Sequence, residues 1–411
     1  MASKRDITIR RPNPASSVND DAVELEVLPV RRRRRRRSLL RVLIRLLIVA
    51  ALITGVCYIS INWNSLSPES MLYWLNDKLA GGQKGGGFPV DITGSSVLSM
   101  TRSKDGLALL TDTSLILFND KGGRLLQRHH GFSRPVLRTA GKWIIIYDAS
   151  GNRLKIETRA STAGEMTLNN HITSAAVSGD GKYALATDST KGYTSEVVAY
   201  NHNREKIFHR YNTELIVLDI AISPDGESLA VVGIAAETGA MESTLLIFDF
   251  NKEDPVAKYQ IRDTMLFSVD FFPNGTIAAV GDSELWVCNK SGTIQQSHGF
   301  NDRELIGYTI GESAVSVVLR DLGSSKGGDI ITVNPSGDIA YTASFEGSFR
   351  NIAPQDFGVL VLTSEHLYHV NPAGVINTID VMRDSRIVCA MGGKAIVLGL
   401  TSLNEYTIPR V

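Results

Sequence analysis

The residues best placed for chemistry are two acids and three arginines. Asp219 and Asp270 fall in short β-rich runs, on the same alternating set of positions, and Arg138, Arg350 and Arg386 fall in comparable runs. Carboxylates and guanidiniums that converge on one cavity can hold a polar ligand, and the same groups can equally form a solvated or ion-paired axis. His129-His130 and the pair His366/His369 are the remaining candidates for metal binding. Residues three apart on a strand face opposite ways, and no third ligand accompanies either pair. No glycine-rich phosphate loop leads from a strand into a helix, and no Gly-x-Ser-x-Gly stands near a plausible base. Only Trp143 and Trp286 occur beyond residue 88, too few for the tryptophan-docked blades of a quinone-dependent dehydrogenase. The sequence therefore predicts no catalytic set, no metal and no cofactor.

The elements that would position these residues are strands. Beyond residue 88, short β-rich runs alternate with Gly, Asp and Asn turns, and helical signals are missing. The pairs Asp105-Gly106, Gly141-Lys142, Asp180-Gly181, Asp225-Gly226, Asn274-Gly275, Glu312-Ser313, Phe357-Gly358 and Gly392-Gly393 recur at separations of 36, 39, 45, 49, 38, 45 and 35 residues. That is the length of one propeller blade. Each pair precedes an apolar strand, and a second strand follows that ends in Asn-x-x-Gly at Asn119, Asn289, Asn334 and Asn371. The Asn side chain caps such a turn and Gly supplies positive φ. Six residues upstream of four pairs stand Ser99, Ser174, Asp219 and Ser268, alternating with larger residues as an innermost strand near a crowded axis requires. The last unit has no outer strand of its own, and residues 88–93 could supply it and close the ring. The expectation is an all-β fold, a β-propeller of eight blades with seven as the alternative, occupying residues 88–411 and preceded by one transmembrane helix.

The net charge of zero hides a split. Residues 1–45 hold 13 of the 43 Lys and Arg but only 5 of the 43 Asp and Glu, which leaves 30 against 38 beyond. An acid-rich domain without clustered bases argues against nucleic acid as a partner. Residues 1–37 read as a disordered basic tail, residues 38–62 as the transmembrane helix, and residues 63–87 as a juxtamembrane helix with a glycine-rich linker. The apolar run at 39–61 is long enough to span a bilayer, and Arg41 and Arg45 lie near its start, where their stems can snorkel. Arg31 to Arg37 precede it, so the positive-inside rule predicts a single-pass protein of the cell membrane with a cytoplasmic N-terminus and an extracytoplasmic propeller. No small-residue cleavage site follows the run, and Val56 before Cys57 does not fit a lipoprotein. The twin-arginine look of Arg36-Arg37 is a by-product of the run of arginines. Those arginines serve topology and can lie on an anionic inner leaflet. The helix expected at 68–79 could rest on the outer leaflet or under the propeller, and Gly81–Gly87 reads as a hinge. Cys288 and Cys389 are expected to stay unpaired, three blades apart.

Taken end to end, the basic run, the apolar segment, the stretch Gly-Phe-Pro-Val-Asp-Ile-Thr-Gly at 87–94 and the repeats resemble an uncharacterised clostridial family of membrane-anchored propeller proteins. The resemblance implies a bacterial cell membrane with the propeller outside, and it carries over no functional residue. The reading that follows is a binding, scaffold or sensing module at the cell envelope, with an unknown protein or envelope polymer as partner. An enzyme with its site at the channel mouth is the alternative. Connections at 190–195, 235–243 and 321–328 are longer than the repeat needs, as binding loops are.

Overall fold

The structure, a computed structural model, describes residues 42–50, 52–54, 81, 83–189, 191–237, 240–356 and 358–408. The chain divides into two units, Met1–Leu72 and Tyr73–Val411. In the first, residues 42–50 and 52–54 are helical, and large apolar side chains such as Leu46, Leu47 and Leu52 are exposed. Among the described residues no helix is long and apolar enough to cross a membrane. The basic tail, the rest of the apolar run at 39–61 and the helix expected at 68–79 lie outside the described residues.

The second unit contains eight four-stranded antiparallel sheets. Seven are consecutive meanders: blades 1 to 7 occupy residues 97–129, 135–167, 172–212, 216–262, 266–299, 304–345 and 349–380. Blade 8 takes Ile387–Met391, Lys394–Leu398 and Ser402–Thr407 from the C-terminal end and its outer strand, Val90–Asp91, from the N-terminal end. Val90 pairs with Leu403 and Asp91 with Ser402, and the Ile92 amide donates to the Thr401 carbonyl at 2.8 Å. The ring is thus closed as expected, with eight blades, although the closing strand is two residues long rather than six.

Second strands read as unbroken apolar runs because both of their faces are buried. In Gly106–Thr111, Leu107 and Leu109 pack with Cys389, Ile396 and Leu398 of blade 8. Ala108 and Leu110 pack with Leu137, Ile144 and Ile146 of blade 2. Eight such clusters, each shared by adjacent blades, form the core. Each fully buried Leu contributes roughly 1.5–3 kcal/mol of transfer free energy. Cys288 in blade 5 and Cys389 in blade 8 are free and buried, as expected; Cys57 lies outside the described residues.

The turns behave as their residues require. Asp180 and Asp225 accept hydrogen bonds from Ser178 and Ser223 at 2.5 Å, which fixes the turn after the innermost strand. Asn119, Asn289, Asn334 and Asn371 all cap backbone amides two to four residues ahead. Asn201 makes the same turn in blade 3, accepting from the Glu205 amide at 2.9 Å, but Arg204 stands at φ 67° where the other copies have glycine.

Two expectations are corrected. The segment at 235–243 is not a loop: Ser228–Glu237 and Ala240–Asp249 stay paired out to Glu237 opposite Ala240, so blade 4 carries a long hairpin. Nor is the glycine-rich linker free from Gln83 onward. The Gln83 amide donates to Arg124 at 3.2 Å and the Gly87 amide to Lys121 at 3.0 Å, while Asn119 donates to the Gln83 carbonyl at 3.1 Å. At Gly85, and at Gly123 opposite it, glycine serves for close backbone approach.

Candidate functional site

Three of the five charged residues singled out in the sequence meet at the axis. Arg138 lies in the innermost strand Pro135–Ala140 of blade 2, Asp219 in Ile216–Ile222 of blade 4, and Asp270 in Leu266–Phe271 of blade 5. The Arg138 guanidinium reaches past blade 3 to Asp219 Oδ1 at 3.2 Å. Asp219 is buried and also accepts from Ser174 Oγ at 2.8 Å, Ser268 Oγ at 3.4 Å and the Val269 amide at 3.3 Å. One carboxylate therefore ties blades 2, 3, 4 and 5 together. Burial works against the Arg138 charge, but Asp219, Tyr147 and Asp270 together outweigh it and raise the pKa. Burial likewise raises Tyr147, whose hydroxyl is bonded to Ser174.

Asp270 is a different carboxylate. The residue is exposed, yet protein surrounds it, and its Oδ1 accepts from the Phe271 amide at 2.8 Å. Loss of bulk solvation, reinforced by the charge on Asp219, outweighs that amide and Arg138 and lifts the pKa to about 6. Arg350 and Arg386 stay outside this cluster. Arg350 is exposed in Phe349–Gln355, and Arg386 precedes Ile387–Met391 and donates to Gly399 of its own blade at 3.4 Å.

Sequence reading picked out Ser174, Ser268 and Asp219 as equivalents but did not join them. The structure supplies the reason. A register shift interrupts the innermost strand just before Ser99, Ser174, Asp219, Ser268, Gly307 and Asn351. Such a bulge turns the following side chain and its polar atoms towards the neighbouring strand edge. Asn351 uses the same position to accept from the Val388 amide of blade 8 at 3.0 Å.

Buried His130 accepts from the Phe132 amide at Nδ1 (3.1 Å), leaving Nε2 to donate to the Thr111 carbonyl at 3.0 Å, and burial lowers its pKa. His366 faces Asp380 at 3.0 Å, whereas His369 is buried with neither ring nitrogen paired in the structure. Among the described residues no group of three or more His, Cys, Asp or Glu could hold a metal ion.

The two faces of the ring differ. Because blade strands alternate in direction, the connections from second to third strand and from outer strand to the next blade open on one face, here the loop face. The long connection between third and outer strands of blade 4, residues 250–256, opens on the opposite face, while the three long connections between second and third strands, in blades 3, 4 and 6, all fall on the loop face. So do most exposed large apolar side chains of the propeller. Ile216, Met241 and Met265 stand around the long hairpin of blade 4, with exposures of 50%, 61% and 40%. Leu322 in blade 6, Met382 and Leu400 at blade 8, and Tyr193 in blade 3 join them. The opposite face has Val256, Ile339 and Val375. It is also the face where Gln83–Gly87 docks on the turn at residues 119–123.

Known structures agree on the architecture. The C-terminal WD40 domain of Sif2 superposes with a TM-score of 0.57 at 13% identity, over 79% of this chain and 99% of that one. Sqt1 from Saccharomyces cerevisiae gives 0.53 at 11% identity, over 78% and 98%, and a eukaryotic initiation factor gives 0.51 at 11%, over 79% and 87%. These likenesses concern the propeller fold. A search of curated protein sequences finds no match. Residues 89–396, from the closing segment into the second strand of blade 8, match the model of a family of unknown function, DUF5711, and the chain belongs to that family.

Proposed function

We propose that this protein is a membrane-anchored binding module of the cell envelope whose loop face engages a protein partner. The observation that carries the reading is the concentration of Ile216, Met241, Met265, Leu322, Met382 and Leu400 on the face with the long connections. Exposed Met and Leu around one rim lose unfavourable hydration when a partner covers them, and flexible Met side chains adapt to its shape. Anchoring rests on the apolar run at 39–61 and the arginines before it, which favour a cytoplasmic tail and an extracytoplasmic propeller. A photo-crosslinking residue at Met241 or Leu400 in intact cells should give discrete adducts, and one at Val256 or Ile339 should not. Adducts confined to the latter positions would refute the assignment of the face. Protease added outside intact cells should degrade the propeller and spare the tail; a protected propeller would reverse the topology.

A further inference from the structure

Blade 3 ends in the outer strand Lys206–Asn212, with no strand beyond it. A groove of about 530 Å³ runs beside this strand, lined by every residue from 207 to 211 and walled on the far side by residues 250–253 of blade 4. Side chains alternate along a strand. Phe208 packs on Phe248 of blade 4 (ring centroids 5.2 Å apart) and Arg210 reaches the Glu253 carbonyl at 3.4 Å. His209 and Tyr211 occupy the other side, where His209 meets Glu196 at 2.7 Å and Tyr211 stacks on Tyr193 at 4.6 Å. Only an object lying along the backbone edge touches consecutive residues of such a strand. The wall exists because the connection between third and outer strands of blade 4 runs through residues 250–256, where five other blades have the short Asn-capped turn.

A second cavity of about 200 Å³ shares Arg210 and Tyr211 with the groove and opens between the blades against the buried Leu215, Ala235, Leu246 and Phe248, with the polar Asn212, Glu214, Thr244 and Lys258 also in its lining. A slot along a strand edge, with an apolar recess to one side, is the geometry of strand addition: main-chain hydrogen bonds hold the guest and one side chain selects it. We infer that this groove takes an extended peptide segment of a partner protein, added as a fifth strand to blade 3, with one large apolar side chain in the recess. The inference does not rest on the loop face, since the groove follows the outer strand and shares only Tyr193 with the exposed residues named on that face.

The test uses the full chain in detergent micelles and a random decapeptide phage library. Selection should return peptides with one large apolar residue at a fixed place, and their synthetic versions should slow amide exchange at residues 207–211. N-methylation at alternate peptide positions should weaken binding roughly tenfold or more in one register and little in the other, because only alternate amides face the strand. Asn251→Trp, an exposed wall residue, should fill the slot and weaken every selected peptide without altering the melting temperature. The inference is overturned if no peptide is enriched, if both N-methyl registers bind equally, if exchange slows only elsewhere, or if oligosaccharides and not peptides occupy the groove.

Discussion

Val90 and Leu403 face each other in an antiparallel pair that joins the two ends of the propeller. Every other blade is continuous in sequence, so this pairing, with its neighbour Asp91 to Ser402, is where the ring depends on contacts across the whole length of the domain. A repeat ring is held mainly by neighbour contacts, and a blade without its outer strand exposes a template for aggregation. A chain beginning at Ser95 should therefore melt lower than one beginning at Gly81 and elute partly as aggregate. Equal melting temperatures and monomer fractions would show that the closing strand is dispensable.

Arg138 and Asp219 form the second long-range tie. Replacing Arg138 by Met leaves a buried carboxylate with hydroxyl and amide partners but no countercharge, and should cost about 2 kcal/mol, less than for a fully buried pair because the guanidinium is partly exposed. Asp219→Asn in the Arg138→Met background should recover part of the loss. Chemical denaturation of the four chains measures the coupling; additive losses would mean that the pair contributes nothing as a pair.

Asp270 sets a pH dependence of known sign. Its folded pKa, about 6, lies above the ordinary 3.8, so between these values the folded state binds more protons than the unfolded state. Stability from this group is thus fully present at the acid end and falls as pH rises through the window. Asp270→Asn should raise the melting temperature at neutral pH and flatten its dependence across the window. An unchanged profile would place the carboxylate in ordinary solvent.

The repeat was legible because each blade solves the same local problem. The pairs such as Asp180-Gly181 mark turns, and runs such as Leu107 to Leu110 are apolar throughout because two interfaces share them. Ser174, Asp219 and Ser268 were visible as equivalents, but their convergence depends on bulges, and a register shift leaves no signature in residue type. The docked glycines were misread for a related reason: the missing Cβ that permits flexibility also permits contact, and only the partner backbone decides which. The groove on blade 3 was illegible because its wall comes from the connection after Asp249, in the next blade.

Arg204 offers a gain in stability. It occupies the positive-φ place of an Asn-capped turn, at φ 67°, where Gly122, Gly292, Gly337 and Gly374 stand in the other copies. A side chain there is strained, and relief should exceed the extra backbone entropy that glycine brings to the unfolded chain. Arg204→Gly is expected to stabilise the propeller by up to about 1 kcal/mol. A loss of stability on thermal melting would show that the packing of the arginine stem near Gly164 outweighs the strain.

Gly85 and Gly123 pass so closely that neither can carry a side chain. A Cβ on Gly85 would meet the Lys121 carbonyl oxygen at 2.2 Å, and one on Gly123 would meet the Gln83 carbonyl oxygen at 2.1 Å. Gly123 does not have positive φ, so Ala fits its own backbone, and its methyl group would act mainly by pushing the linker away. Lys84 lies in that linker and is a trypsin site. Cleavage after Lys84 requires the segment to leave the blade, so its rate follows the population of the undocked form. Gly123→Ala should raise the cleavage rate at Lys84 roughly tenfold, the change expected when about 1.4 kcal/mol of docking is lost, while the propeller core resists as before. Equal cleavage rates in the two chains would mean that residues 83–87 are not held against blade 1 in solution, and that the glycines there serve flexibility after all.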